Sequence, residues 1–422
     1  MKKYATFVSF ALVLVLTASS CNKDLFDKNV VQEILDYSFH NDTLDAYHTW
    51  RLMSEHYIQV KNTVSNSDRV LLLTADPHES EQAELLAEQT INDGETITMD
   101  YSVHLAQQQL YAAVVTKDGA YHVSGFTKGD ASVTVETDDS AEGRRVYAPS
   151  PQEVYYCFCN GFPQPSTSWD FNDLVLRLSR SIIDEYTLRL NVTLVAVGTN
   201  VQEAAALRLV GINYDEIESL TCINDKKFGV NNSSGRTIIT DKDDLLCSRN
   251  GEAVINLFDD AHIAINSNSI DETAQVVRAY YNVGNSTNAA YMYANEVTVG
   301  YLVKFKKAGR AKYVTFDKLD PFMAYNYNSA IWEIHKYAYK LDEVLFEYYS
   351  GNPFNYNNGY TWALEIPYSW FRYPLQGISM GSYKNGVIFG AYRERGHSFG
   401  EWAAHSDKAT DWYLYPMKGA VY

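Results

Sequence analysis

The sequence predicts an all-β protein: two β-sandwich or jelly-roll-like domains with few short helices, behind a cleaved lipoprotein signal peptide. Three observations carry that expectation. Short apolar or β-branched runs recur along the chain, Gly and Asp-Gly turns punctuate them, and helical periodicity surfaces in few places. Hydrophobic residues make up 46% of the 422, a globular composition rather than a disordered one. Beyond residue 20 there remain 402 residues, enough for two or three domains with large cores. No fixed-period repeat is visible.

Lys2 and Lys3 precede an apolar run from Tyr4 to Leu16, and the small residues Thr17, Ala18, Ser19 and Ser20 lead to Cys21. A basic start, a core too short to span a bilayer and a small-residue processing site make an export signal over residues 1–20. A cysteine directly after the small residues predicts a lipoprotein: Cys21 becomes the acylated N-terminus and tethers the chain to a membrane. Ala18 stands where a lipobox usually has Leu, and an ordinary secretory peptide cut nearby is the alternative. All 52 acidic residues but only 33 of the 35 basic ones lie beyond the signal, a net charge of −19. Such an excess argues against nucleic acid or an anionic membrane face as partner.

Residues 21–49 are polar and aperiodic, and read as a tether. A small β domain with one helix follows over 50–137. Its strand candidates are Arg69–Thr74, Thr96–Val103, Gln109–Thr116, Tyr121–Phe126 and Ala131–Val135, and its helix is Glu79–Gln89, with Ala83, Leu86 and Ala87 on one face. Residues 138–153 read as a linker. From 154 to 422 a larger β domain is expected, with a polar insertion at about 226–250. Its candidates are Val154–Cys159, Leu174–Leu178, Tyr186–Val197, Ala204–Leu209, Val254–Leu257, Gln275–Tyr281, Val297–Phe305, Val344–Tyr349, Tyr360–Ile366 and Val387–Tyr392. Phe399–His405 is long enough for one or two helical turns.

The sharpest local feature is SWDFNDLVLRLS, residues 168–179. Asp170, Asn172 and Asp173 supply three short oxygen-bearing side chains at the start of a strand, and such hard oxygens suit calcium. The competing reading is an Asx-turn, in which these groups cap their own backbone amides. The chain has 33 tyrosines, dense between Tyr325 and Tyr373, and in YYSGNPFNYNNGYTW (348–362) Tyr356, Tyr360 and Trp362 stand beside amides. Aromatic faces with amide neighbours suit sugar rings; a Tyr-rich sheet edge with Asn/Gly turns explains the same residues. Of the four remaining cysteines, Cys157 and Cys159 share one face of a strand, and Cys222 with Cys247 is the easier bridge. Small buried hydrophobes, or a zinc site, are the other readings.

At DFNDLVL a resemblance enters. This stretch is similar to the acidic signature that opens the LruC-type domain, found in exported lipoproteins of the Bacteroides group. CNKDLFD (21–27) resembles the lipidated start of those proteins, with Lys23-Asp24 like part of their surface-export signal. KLDPFMAYNYNSAIWEIHK (318–336), WALEIPYSWFRYPLQ (362–376) and SFGEWAAHSDKATDWY (398–413) resemble later segments. The resemblance implies a location at the outer membrane and cell surface, and a fold, without implying a reaction.

No G-x-S-x-G elbow, H-E-x-x-H helix, Walker loop or dinucleotide fingerprint is present. A glycoside hydrolase would need two carboxylates across a sugar cleft, for which Glu347, Glu365, Glu401 and Asp411 stand near aromatics. The expectation is therefore a non-catalytic protein, held to the membrane through N-terminal acyl chains, that binds a glycan or an envelope protein. The alternatives are a calcium-stabilised structural or adhesive component and, last, a glycoside hydrolase.

Overall fold

The computed structural model describes residues 48–160, 170–228, 245–266, 277–284, 290–327, 330–336, 361–378, 380 and 397–422. The architecture is all-β, as the alternating runs predict. The first strands are β1 (Met53–Asn62), β2 (Ser67–Leu73), β3 (Glu84–Thr90), β4 (Thr96–His104), β5 (Gln109–Thr116), β6 (Tyr121–Thr127), β7 (Ser132–Val135) and β8 (Ser150–Pro151). They make a three-stranded sheet, β4-β1-β7, and a five-stranded sheet, β6-β5-β2-β3-β8. Strand periodicity explains the packing: in β4, Ile97, Met99, Tyr101 and Val103 point inward while Thr96, Thr98 and Asp100 face water. Between the sheets they meet Ile58, Val60, Val70, Leu72, Leu110 and Val114.

One expectation fails here for a physical reason. The segment Glu79–Gln89 is not a helix; from Glu84 it is β3, paired antiparallel with β2 from Leu73↔Leu85 to Arg69↔Thr90. Leu86 enters the core between the sheets while Leu85 packs on the opposite face against Leu71 and Leu73. Adjacent apolar residues thus serve both faces of a strand, and sheet pairing overrides the helix propensity of Glu, Leu and Ala. The stretch 138–153, read as a linker, has no strand or helix before Ser150 and is mostly exposed up to there, but it is tied to its neighbours. The Tyr147 N–H donates to Pro77 O (2.8 Å), β8 pairs in parallel with β3, and the buried Gln152 donates to Ser102 O (3.2 Å).

The next strands are β9 (Glu153–Phe158), β10 (Leu174–Ile182), β11 (Thr187–Val197), β12 (Glu203–Asn213), β13 (Ile217–Cys222), β14 (Leu246–Arg249) and β15 (Glu252–Phe258). After them come β16 (Tyr280–Tyr281), β17 (Tyr291–Met292), β18 (Val297–Phe305), β19 (Leu319–Tyr327), β20 (Ala330–Ile334) and β21 (Ala363–Ile366). One sheet runs β13-β18-β11-β10-β9-β21, with β16 and β17 attached beside β11; the facing sheet runs β14-β15-β12-β19-β20. Leu188, Leu190, Val192 and Leu194 of β11 meet Ala205, Leu207 and Leu209 of β12 and Met323 and Tyr325 of β19 in one continuous core. Of the expected strand Gln275–Tyr281, residues 275–276 lie outside the described residues and the rest is strand at Tyr280–Tyr281; β14 lies inside the region read as a polar insertion. The expected strands Val344–Tyr349 and Val387–Tyr392 lie outside the described residues.

The helix Phe399–Ala404 forms where expected, closed by a reciprocal Ser398/Glu401 cap. Its Trp402 stacks on Trp412 (5.7 Å) and meets Trp50 edge-on (5.3 Å). Trp50 and Leu52 therefore pack into the larger core, so the first described residues are stitched to the C-terminal ones before β1 begins.

Candidate functional site

The DFND stretch sits where the chain turns into β10. Phe171 is buried in the left-handed region (φ 49°), uncommon for a bulky side chain, and this breaks the strand alternation. All three predicted residues, Asp170, Asn172 and Asp173, are buried in consequence. Their partners are distant rather than local. Asp170 Oδ2 accepts from the Gly377 N–H (2.7 Å), and Asp173 Oδ2 accepts from the Asn160 N–H (2.8 Å). Asn172 Nδ2 donates to Pro374 O (2.9 Å). These bonds tie the turn to the end of β9 and to the segment after β21, unlike an Asx-turn.

Asp170 and Asp173 are joined by Cys159, and ligand atoms of the three lie within 4.8 Å of one another. Glu203, fully buried at the start of β12, extends the cluster; its Oε1 accepts from Asn160 Nδ2 (2.8 Å), which also reaches Thr199 Oγ1 (2.8 Å). Burial, then the charges of Asp170 and Glu203, push the Asp173 carboxyl well above its ordinary range, against hydrogen bonds from Asn160 and Cys159. Burial likewise pushes Glu203 up to about 8, against its bond from Asn160. This arrangement gathers carboxyl groups where water is excluded and where ionising them without a positive partner is costly.

A second buried cluster lies on the outer face of the β14-β15-β12-β19-β20 sheet. Asp320 of β19 accepts from Arg208 Nε (3.0 Å) and His335 Nδ1 (2.8 Å). Glu333 of β20 accepts from Arg249 Nη1 (2.6 Å) and His335 Nε2 (3.3 Å). Burial pulls His335 down, but Asp320 and then Glu333 win and hold it up at about 9. Phe322 stacks on the His335 ring (4.5 Å).

The other predicted residues are dispersed. Cys21, Tyr356, Tyr360 and Glu347 lie outside the described residues. Trp362 is 2% exposed and packs in the larger core, so its ring is a packing group and offers no face to a sugar. Cys222 forms no disulfide. It ends β13 and packs toward the larger core, whereas Cys247 lies against Ala206, Val254 and Phe322 on the far face of the other sheet, and a bridge would have to cross that sheet. Glu365 is buried against Lys336 (2.9 Å) and Tyr156 OH (2.9 Å), Glu401 caps its helix, and Asp411 accepts from His397 (2.8 Å).

Sequence reasoning missed Cys159, Asn160, Glu203 and Gln376 as neighbours of the cluster. Glu203 left a trace, a single acid ahead of the apolar run AAAL. The others left none, because their convergence is made by strand pairing across the fold.

Among solved structures, the fold is similar to that of a Bacteroides ovatus protein assigned to the lipoproteins, with 15% identity and a TM-score of 0.52 over 85% of this chain and 99% of that one. No curated protein matches. Residues 186–413, more than half of the chain and including β11 to β20, match the model of the family described as Domain of unknown function (DUF4842), and the chain belongs to that family.

Proposed function

We propose that this chain is a lipid-anchored protein of the outer membrane, displayed at the cell surface, that binds an extracellular glycan or envelope protein without doing covalent chemistry on it. The observation that carries the reading is Cys21, set directly behind an apolar run and four small residues. The fold shared with a protein assigned to the lipoproteins supports it, as does the likeness of the segments around 170 and 318–336 to LruC-type lipoproteins. No helix among the described residues is long and apolar enough to cross a membrane. The buried acids and bases also fit a binding scaffold: His335 is clamped between two carboxylates, and His262 between Thr199 O (2.8 Å) and the Asp260–Arg278 pair. Glu365 and Glu401 are committed to an ion pair and a helix cap.

Mass spectrometry of the native protein tests the anchor. The expected mature chain starts at a diacylglyceryl Cys21 and fractionates with membranes, and Cys21→Ser moves it to the soluble fraction. A chain that starts elsewhere and carries no fatty acid overturns the reading. Protease treatment of intact cells should remove the body; protection until lysis would place it on the inner leaflet. A glycan array then separates sugar binding from protein binding.

A further inference from the structure

Around the DFND turn, three buried side-chain oxygens, on Asn172, Gln376 and Glu203, accept no hydrogen bond among the described residues. Asn172 is wholly buried, and because Pro374 O can only accept, its amide nitrogen must face that carbonyl and its oxygen must face inward. That Asn172 Oδ1 accepts no hydrogen bond, nor do Gln376 Oε1 and Glu203 Oε2. The two amide oxygens abut one point: a Cβ added to Gly198 would lie 2.3 Å from Asn172 Oδ1 and 2.7 Å from Gln376 Oε1. Gly198 in turn donates its N–H to Asp173 O (2.9 Å), and Gly377, next to Gln376, donates to the Asp170 carboxylate. The two amide oxygens meet at Gly198, whose N–H holds the Asp173 backbone and whose neighbour Gln376 precedes the Gly377 N–H bound to Asp170; the Asp170–Asp173 carboxylate pair, with Glu203 acting on Asp173, therefore adjoins them. Buried acceptors without donors each cost free energy, and buried like charges cost more; a cation removes both costs at once.

We propose that Asp170, Asp173, Asn172 and Gln376 supply oxygen ligands for a buried calcium ion, with Glu203 adding negative charge beside it. The ion would tie together the turn into β10, the β11–β12 connection at Gly198 and the segment at 374–377, all on one edge of the sandwich. Hard carboxylate and amide oxygens match calcium, which takes six to eight such ligands in flexible geometry. Zinc would prefer the single thiol of Cys159, which is already engaged as a donor to Asp173.

The test is calcium binding by the purified full chain, stripped with a chelator and then titrated. One calcium ion per chain is expected by elemental analysis. At about one hundred times Kd the thermal midpoint should rise by roughly 3–5 °C. In Asp173→Asn the calcium-dependent rise should vanish, while the midpoint in chelator stays at or above that of the parent, because one repelling charge is gone. Gln376→Ala trims a partly buried side chain outside the strands and should weaken calcium binding several-fold with the midpoint in chelator near that of the parent. No bound ion at millimolar calcium overturns the assignment. So does an unchanged calcium response in both variants, or tighter binding of cadmium through Cys159.

Discussion

Two buried acidic clusters in the larger sandwich handle the same physical problem in opposite ways. On the outer face of the β14-β15-β12-β19-β20 sheet, Asp320 and Glu333 are met by Arg208, Arg249 and His335. At the DFND turn, Asp170 and Asp173 face each other and Glu203, and the charges that act most strongly on Asp173 are negative. Desolvating a carboxylate is expensive wherever it happens, so the first cluster is self-contained while the second is built for a positive charge from outside. Sequence position does not distinguish them. Asp320 near the start of β19, Glu203 at the start of β12 and Asp173 just ahead of β10 occupy the same kind of position; only the cross-strand partners differ.

The largest effect should come from breaking the self-contained cluster. Asp320→Asn removes the negative charge that both Arg208 and His335 meet, leaving a buried imidazolium and a partly buried guanidinium beside a neutral amide, and should destabilise the protein by about 3–5 kcal/mol in denaturant unfolding. Asp173→Asn in chelator should not destabilise. If both substitutions cost the same, the contrast between the clusters is wrong.

The pH dependence sharpens the same contrast. His335 is raised in the folded protein to about 9, from 6.5 unfolded. Its contribution is therefore complete below pH 6.5, because both states are then protonated and the folded imidazolium keeps its two carboxylate partners. Between pH 6.5 and 9 the folded state holds the extra proton, and stability falls as pH rises through that window. The loss should be on the order of 3 kcal/mol, read as the difference between parent and His335→Gln unfolding curves across pH. An identical slope in the variant would show that the histidine is not charged where it sits.

What was legible in the sequence follows from the range of the interactions involved. β5 (QLYAAVVT) and β18 (VTVGYLVKF) emerge at their observed bounds because apolar and β-branched residues fill their inward positions. β1 (MSEHYIQVKN) escaped notice, since its outward positions are charged or polar and only Ile58, Val60 and Asn62 are buried. The oxygen chemistry of Asp170, Asn172 and Asp173 was readable as a local run, but Cys159, Glu203 and Gln376 reach it only through strand pairing and the return of the chain after β21. Trp362 misled for a related reason: Asn and Gly neighbours resemble a ligand loop, yet β21 pairs with β9 and carries the ring inside.

Glu84 offers the mildest and most graded test, because it stands between the two extremes. It is 5% exposed where the first sandwich meets Ser369, whose hydroxyl donates to it, and no cation is among the groups that shift it. Burial is the largest influence, opposed by the Ser369 bond and reinforced by Glu153, and the carboxyl rises to about 7 from 4.5. Between pH 4.5 and 7 the folded state therefore binds the extra proton, stability falls with rising pH, and above 7 the penalty is constant. Glu84→Gln keeps an acceptor for Ser369 and discards the charge. It should match the parent below pH 4.5, lose that slope, and be more stable by up to about 3 kcal/mol at pH 8. A variant no more stable than the parent at pH 8 would mean that the Ser369 hydroxyl and backbone N–H suffice to hold a buried carboxylate, and the case for an external cation at Asp170 and Asp173 would weaken accordingly.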